Sequence, residues 1–194
     1  MPVGTLFVRQ VVHPLSFSVL HNFLLLVSYI PPYHIPTNTD AHGFLSNENS
    51  YKGKHFRQVL AARDTHLHLL NLNGNQNNDL GGICYTGGLA AIQALYEKEG
   101  GKEAHVKLTL LGSSLGGYVV ARFAELHPEA VEKLVLFCPG FDLQSRWPRV
   151  FGEVGLREWE ERGYREFEGP AGPVRVPWSF IEDGRRHPAF PLYK

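Results

Sequence analysis

The segment Val106–Glu125, VKLTLLGSSLGGYVVARFAE, decides how this chain is read. It opens on an apolar run, Leu108, Leu110 and Leu111 around Thr109, that fits a buried strand. It breaks at Gly112-Ser113-Ser114-Leu115-Gly116-Gly117 and then takes up a helical period, with Val119, Val120, Phe123, Ala124 and Leu126 on one side. Strand, tight glycine turn and helix are the setting in which G-x-S-x-G acquires chemical meaning. The glycines flanking Ser114 at two residues' distance let the backbone turn tightly enough to hold that serine at the apex. Its hydroxyl then stands above the sheet, and the amides of the first helical turn face whatever binds there. The expectation is a nucleophile elbow with Ser114 as nucleophile. An ordinary Gly/Ser-rich strand–helix turn is the alternative.

Composition sets the frame around this motif. A chain of 194 residues suits one domain, and 43% hydrophobic with 12% aromatic residues is enough for a packed core. Lys+Arg and Asp+Glu balance at 19 each, which argues against a nucleic-acid footprint or an acidic-membrane binder. Cys84 and Cys138 have no metal spacing and form no disulfide framework. Cys138, at the end of an apolar run, reads as a small buried hydrophobe. A reducing, cytoplasmic setting without metal or cofactor is the expectation.

Upstream, residues 1–40 differ from the rest, with Arg9 as their one basic residue and no acid before Asp40. Leu15–Ile30 is the most hydrophobic window, interrupted by Ser16, Ser18, His21 and Asn22. It is short for a membrane span and lacks a small-x-small cleavage site. A strand at Phe23–Ile30 followed by an irregular loop over Pro31–Asp40, a disordered extension, a targeting segment and a membrane anchor all stay open. Residues 41–194 read as the globular domain. It begins at His42-Gly43-Phe44, a turn one αβ unit ahead of the serine strand. Such a loop can aim the Phe44 amide at the place where an oxyanion would form, with the Leu115 amide as second donor. Gly43 permits close approach and the His42 ring can brace the loop. Tyr51–Ala62 is expected to be a helix and Thr65–Asn73 a strand. The pair His66-x-His68 has no third ligand in view and reads as ordinary histidines.

Gly74–Gly82 is a polar loop without a phosphate-loop lysine, and Gly87–Gly100 is a helix with Leu89, Ile92, Leu95 and Tyr96 on one face. Val131–Cys138 supplies a further buried strand. Asp142 beyond it is either a triad acid or, as preferred, a cap of the next segment. Residues 143–187, with Trp147, Trp159 and Trp178 among Glu, Arg and Pro, read as a partly helical cap over the site. Pro188–Lys194 reads like a linker.

His42-Gly43-Phe44, the elbow through Tyr118 and Leu136-Phe137-Cys138-Pro139-Gly140-Phe141 together resemble the α/β-hydrolase superfamily. More narrowly they are similar to small bacterial YqiA-type esterases. Trp178–Asp183 and Arg186-His187-Pro188 look like the segment leading out of such a cap. The resemblance implies a mostly parallel α/β sheet flanked by helices. It also implies hydrolysis of a small carboxylic ester or thioester through a Ser114 acyl-enzyme, without cofactor, with Phe44 and Leu115 as oxyanion donors. The family carries its acid and histidine on strands beyond the cap, where this chain stops, so the sheet is expected to lack its last strands. A substitute triad would have to draw on Asp142 or Asp183 with His187, although Asp183 and His187 read better as a surface i,i+4 pair. The edge beside Leu134–Phe137 is expected to be exposed and open to oligomerisation. Three functions stand against one another: a serine hydrolase, a non-catalytic hydrolase-like binding or regulatory protein, and a membrane-attached scaffold.

Overall fold

A computed structural model describes residues 4–8, 37–74, 80–169 and 171–192, the first of these segments as backbone only. Five strands form one sheet: β1 (Gly4–Val8), β2 (Thr37–Ala41), β3 (Leu67–Leu70), β4 (Leu108–Ser113) and β5 (Val131–Phe137). Their order is β1-β5-β4-β2-β3, and every neighbouring pair is parallel. Parallel neighbours require crossovers, which α1 (Tyr51–Ala61), α2 (Tyr85–Lys98) and α3 (Leu115–Leu126) provide. Alternation along β4 and β5 divides the core in two. Leu110, Leu134 and Leu136 pack with α2 and α3 on one face. Leu111 and Val135 pack with Phe56 and Leu60 of α1 on the other. Burial on both faces explains the apolar clusters Leu110-Leu111 in β4 and Leu134–Phe137 in β5.

Two expectations change here. Thr37–Asp40, read as loop, belong to β2, which lies between β3 and β4 and is buried along its whole length. The boundary at 40/41 therefore falls inside a strand. Thr-Asn-Thr-Asp carries no apolar signature, so its strand character comes from the backbone ladders on both sides rather than from side-chain partition. The edge of β5 expected to be open is paired with β1, Gly4 opposite Lys133 through Val8 opposite Phe137. The oligomerisation argument built on that edge is withdrawn. Phe23–Ile30 and the whole of Leu15–Ile30 lie outside the described residues. Among the described residues no helix is long and apolar enough to cross a membrane.

The cap consists of α4 (Leu143–Arg162), the antiparallel hairpin β6 (Tyr164–Gly169) and β7 (Gly172–Pro177), and α5 (Ser179–Gly184). α4 is kinked at Gly152, whose φ of 67° and ψ of 172° are non-helical. Trp159, 1% exposed, donates its indole N–H to Val176 O at 3.0 Å and so ties α4 to the hairpin. The tail does not behave as a linker: Tyr118 OH donates to Pro188 O at 2.6 Å, and the Asp142 amide donates to Ala189 O at 2.8 Å. Cys138 is exposed, at a φ of 43°, rather than buried, because the chain turns out of the sheet at that residue.

The polar character of β2 has a measurable cost. Thr39 is fully buried and its Oγ1 has no hydrogen-bond partner. Thr39→Val keeps the shape and removes the unsatisfied hydroxyl. It is expected to raise unfolding free energy by about 1 kcal/mol, read by urea denaturation.

Candidate active site

β4 runs into α3 through Ser114, whose φ of 53° and ψ of −118° place a non-glycine residue in a conformation L side chains rarely adopt. The turn is held from three sides. The Ser114 amide donates to Phe137 O at 3.0 Å, and Ser114 O accepts from the Gly140 amide at 2.7 Å and the Tyr118 amide at 3.1 Å. The two motif glycines are required by space. A Cβ on Gly112 would sit 2.5 Å from Val120 Cγ2, and one on Gly116 would sit 2.2 Å from Ala41 O. The side chain of Ser114 is exposed at this apex.

The His42–Phe44 loop closes against the same turn. A Cβ on Gly43 would lie 3.3 Å from Ser114 Cβ, and 3.9 Å from its Oγ. His42 is 2% exposed. The Leu72 amide donates to its Nε2 at 2.9 Å, so the proton resides on Nδ1, which donates to Gly43 O at 2.9 Å. Burial holds the imidazole below its usual range and favours this neutral, bracing form. Phe44 sends its ring into the cap, stacked on Phe180 at 5.1 Å and edge-on to Phe167 and Trp147 at 5.3 and 5.9 Å. Ser114, His42, Gly43 and Phe44 thus line one cavity of about 230 Å³, and Leu115 follows as the first residue of α3.

The other candidates are gathered elsewhere. Asp142 occupies the N-cap position of α4 and accepts the Ser145 hydroxyl at 2.5 Å. Asp183 is 8% exposed and accepts the Thr86 amide at 2.9 Å and the Thr86 hydroxyl at 2.5 Å, placing a carboxylate at the N-terminus of α2. His187 Nε2 stands 4.0 Å from Asp183 and 3.1 Å from Thr86 Oγ1, and its ring stacks on Tyr85 at 5.6 Å. The expected surface pair is therefore largely covered, its side chains 11% and 12% exposed, because α5 docks on α2. Asp142 and His187 line a second cavity, also of about 230 Å³, beyond Gly140, and Ser114 is not part of its wall. Among the described residues no histidine hydrogen-bonds to Ser114 Oγ. His66 and His68 lie with rings 4.4 Å apart, and no group of three possible metal ligands occurs among the described residues.

Sequence reasoning did not single out Asp40, Lys52 or Ser113, which share the cavity with Ser114. Lys52 Nζ donates to Ser113 Oγ at 2.5 Å. Asp40 is 6% exposed, and burial pushes its carboxyl up to about 6, the nearby Lys52 opposing. A lysine at the first turn of a helix, where the dipole disfavours cations, was the available signal.

With this geometry in hand, the comparisons with known proteins are decisive for the family. The family described as serine aminopeptidase, S33, matches residues 41–164, well over half the chain. This chain belongs to that family of α/β-hydrolases. Among solved structures it is similar to mouse α/β-hydrolase domain-containing protein 10, with 23% identity and TM-score 0.59, covering 79% of this chain and 62% of that one. A protein described as a hydrolase from Agrobacterium vitis S4 is 21% identical with TM-score 0.61, covering 78% and 60%. Est1E from Butyrivibrio proteoclasticus, solved with ferulic acid, is 14% identical with TM-score 0.59, covering 81% and 64%. These likenesses establish the fold. The chain spans less than two thirds of the length of each. No curated protein matches it in sequence. The narrower YqiA-type likeness rests on the sequence motifs alone.

The Asp40 carboxyl generates a pH prediction. Its folded value of about 6 lies above the ordinary 3.8, so the stability it contributes is fully present below pH 3.8 and is lost as pH rises through 6. Asp40→Asn removes that dependence. Its stability relative to wild type is expected to rise by about 3 kcal/mol between pH 3.5 and 7.5, measured by denaturant unfolding at both pH values.

Proposed function

We propose that this chain is a serine hydrolase acting on small carboxylic esters or thioesters, with Ser114 as the acyl-enzyme nucleophile, in the cytoplasm. The single observation that carries the reading is the left-handed backbone of Ser114 at the strand–helix apex, with the His42–Phe44 loop packed against it. A strained, over-determined residue at the mouth of a cavity is what presentation of a reacting hydroxyl requires.

On this reading the chemistry is acyl transfer through serine. Ser114 Oγ adds to the ester carbonyl carbon and gives up its proton to a base. Charge gathers on the carbonyl oxygen, where the amides of Phe44 and Leu115 donate to it. The tetrahedral species collapses, the carbon–oxygen or carbon–sulfur bond of the leaving group breaks, and the leaving group takes the proton. Water then adds to the acyl-serine by the same route and releases the acid. His42 is no candidate for the base, because both ring nitrogens are engaged by the backbone. His42 and Gly43 hold the loop in place instead.

A second reading is favoured by one specific observation: no described histidine reaches Ser114, and Asp183 and His187 are committed to Thr86. On that reading the chain is a non-catalytic hydrolase-like binding or regulatory protein. A fluorophosphonate probe separates the two, since it reacts with serines that a neighbouring base activates. The hydrolase reading expects labelling of the purified chain and its loss, by two orders of magnitude or more, in Ser114→Ala. Absence of labelling in protein shown to be folded by its circular dichroism melt would leave the binding reading in its place.

A further inference from the structure

Apart from Ser114 and the His42–Phe44 loop, the lining of the cavity is largely polar and charged, and the mechanism uses none of it. It comprises Lys52, Ser50, Ser46, Ser113 and the buried Asp40, with Phe56 and Phe137 as the apolar members. Lys52 is the second residue of α1 after the N-cap Ser50, whose hydroxyl accepts the Gly53 amide at 3.1 Å. No acidic residue occupies that first turn. A cation there opposes the helix dipole, so the position lowers stability unless something else is served. Lys52 is exposed, but its ammonium is held by a specific partner. It crosses to Ser113, next to the apex serine, and one donor of three is spent on that hydroxyl. Asp40 lies beneath, packed so close to the first turn of α1 that a Cβ on Gly53 would approach its Oδ2 to 2.8 Å. The aspartate is thus a largely buried part of the cavity lining beneath the helix, while the lysine bridges to Ser113 in the same cavity.

We infer that Lys52 is a specificity residue that binds a carboxylate on the acyl portion of the substrate, making the preferred substrates short half-esters of dicarboxylic acids. The inference rests on Ser114 being the nucleophile. Lys52 reaches Ser113, the residue immediately before Ser114, within the same cavity, so the acid arm is short. The two remaining ammonium donors, with the Ser113 hydroxyl in contact and Ser46 elsewhere on the cavity lining, match the two oxygens of a carboxylate. Phe56 and Phe137, stacked at 5.5 Å, line the path of the intervening methylenes. Hydrolysis consumes one water and releases the diacid and the alcohol, so the reaction balances without a further reactant.

The test compares mono-p-nitrophenyl glutarate with p-nitrophenyl valerate, which differ in carrying a carboxylate or a methyl at the same chain position. In Lys52→Met the ratio of kcat/KM for the anionic over the neutral ester is expected to fall about three- to tenfold, through KM. Lys52→Arg is expected to keep most of the ratio. An unchanged ratio in Lys52→Met overturns the inference. If neither ester is hydrolysed and the fluorophosphonate does not label Ser114, it is the hydrolase reading that fails. The carboxylate site is then judged by amide chemical shifts on titration with monomethyl glutarate and methyl valerate. Shifts around Gly53 and Ser113 with the acid alone, lost in Lys52→Met, support it; no shifts with the acid in wild type overturn it.

Discussion

Everything at the candidate site depends on one close approach of backbone to backbone. Gly116, in the first turn of α3, lies so near the carbonyls of Ala41 and His42 that any side chain there would collide with them. That contact fixes the end of β2 against the start of α3, and with it the loop that faces Ser114. It also explains why the turn carries glycine at several positions. Gly112 lets the helix fold back over its own strand, and Gly140 lets the loop after β5 donate its amide to Ser114 O. The left-handed serine is thus over-determined: three hydrogen bonds and three glycine contacts hold a conformation that would otherwise relax.

Around this centre the sheet trades apolar burial for polar placement. β4 and β5 supply the greasy interior, while β2 between them and β3 is almost wholly polar. A strand of Thr, Asn, Thr and Asp is a poor contributor to hydrophobic stability. It nonetheless occupies the position from which Asp40 reaches under α1 and His42 reaches Leu72. Stability is given up where side chains are needed to hold loops and charges beside the apex, a pattern usual at sites under functional selection.

The parts of the fold whose signal is apolar were legible in the sequence. Leu108–Leu111, Val131–Phe137 and the helix through Val119 and Phe123 read correctly because burial leaves a cluster of apolar residues in each. The turn at Ser114 was legible because left-handed and crowded backbone needs glycine around it. Other features carried no such mark. β2 is a strand by virtue of its neighbours' hydrogen bonds, which composition does not record. The pairing of β1 with β5 is a contact between residues more than a hundred positions apart. Lys52 and Asp40 are ordinary residues in the sequence and become notable only when α1 lays one over the other. The covering of Asp183 and His187 depends in the same way on where α5 docks.

The placement of Phe44 ties the loop to the cap mechanically. Its backbone belongs to the wall of the Ser114 cavity, while its ring is packed among Phe180, Phe167 and Trp147, which all belong to the cap. A cap that swung away from the sheet would have to pull that ring out or drag the loop with it. Displacing the cap would therefore disturb the loop as well. A ligand that favoured the seated cap would, by the same coupling, favour the loop position seen here.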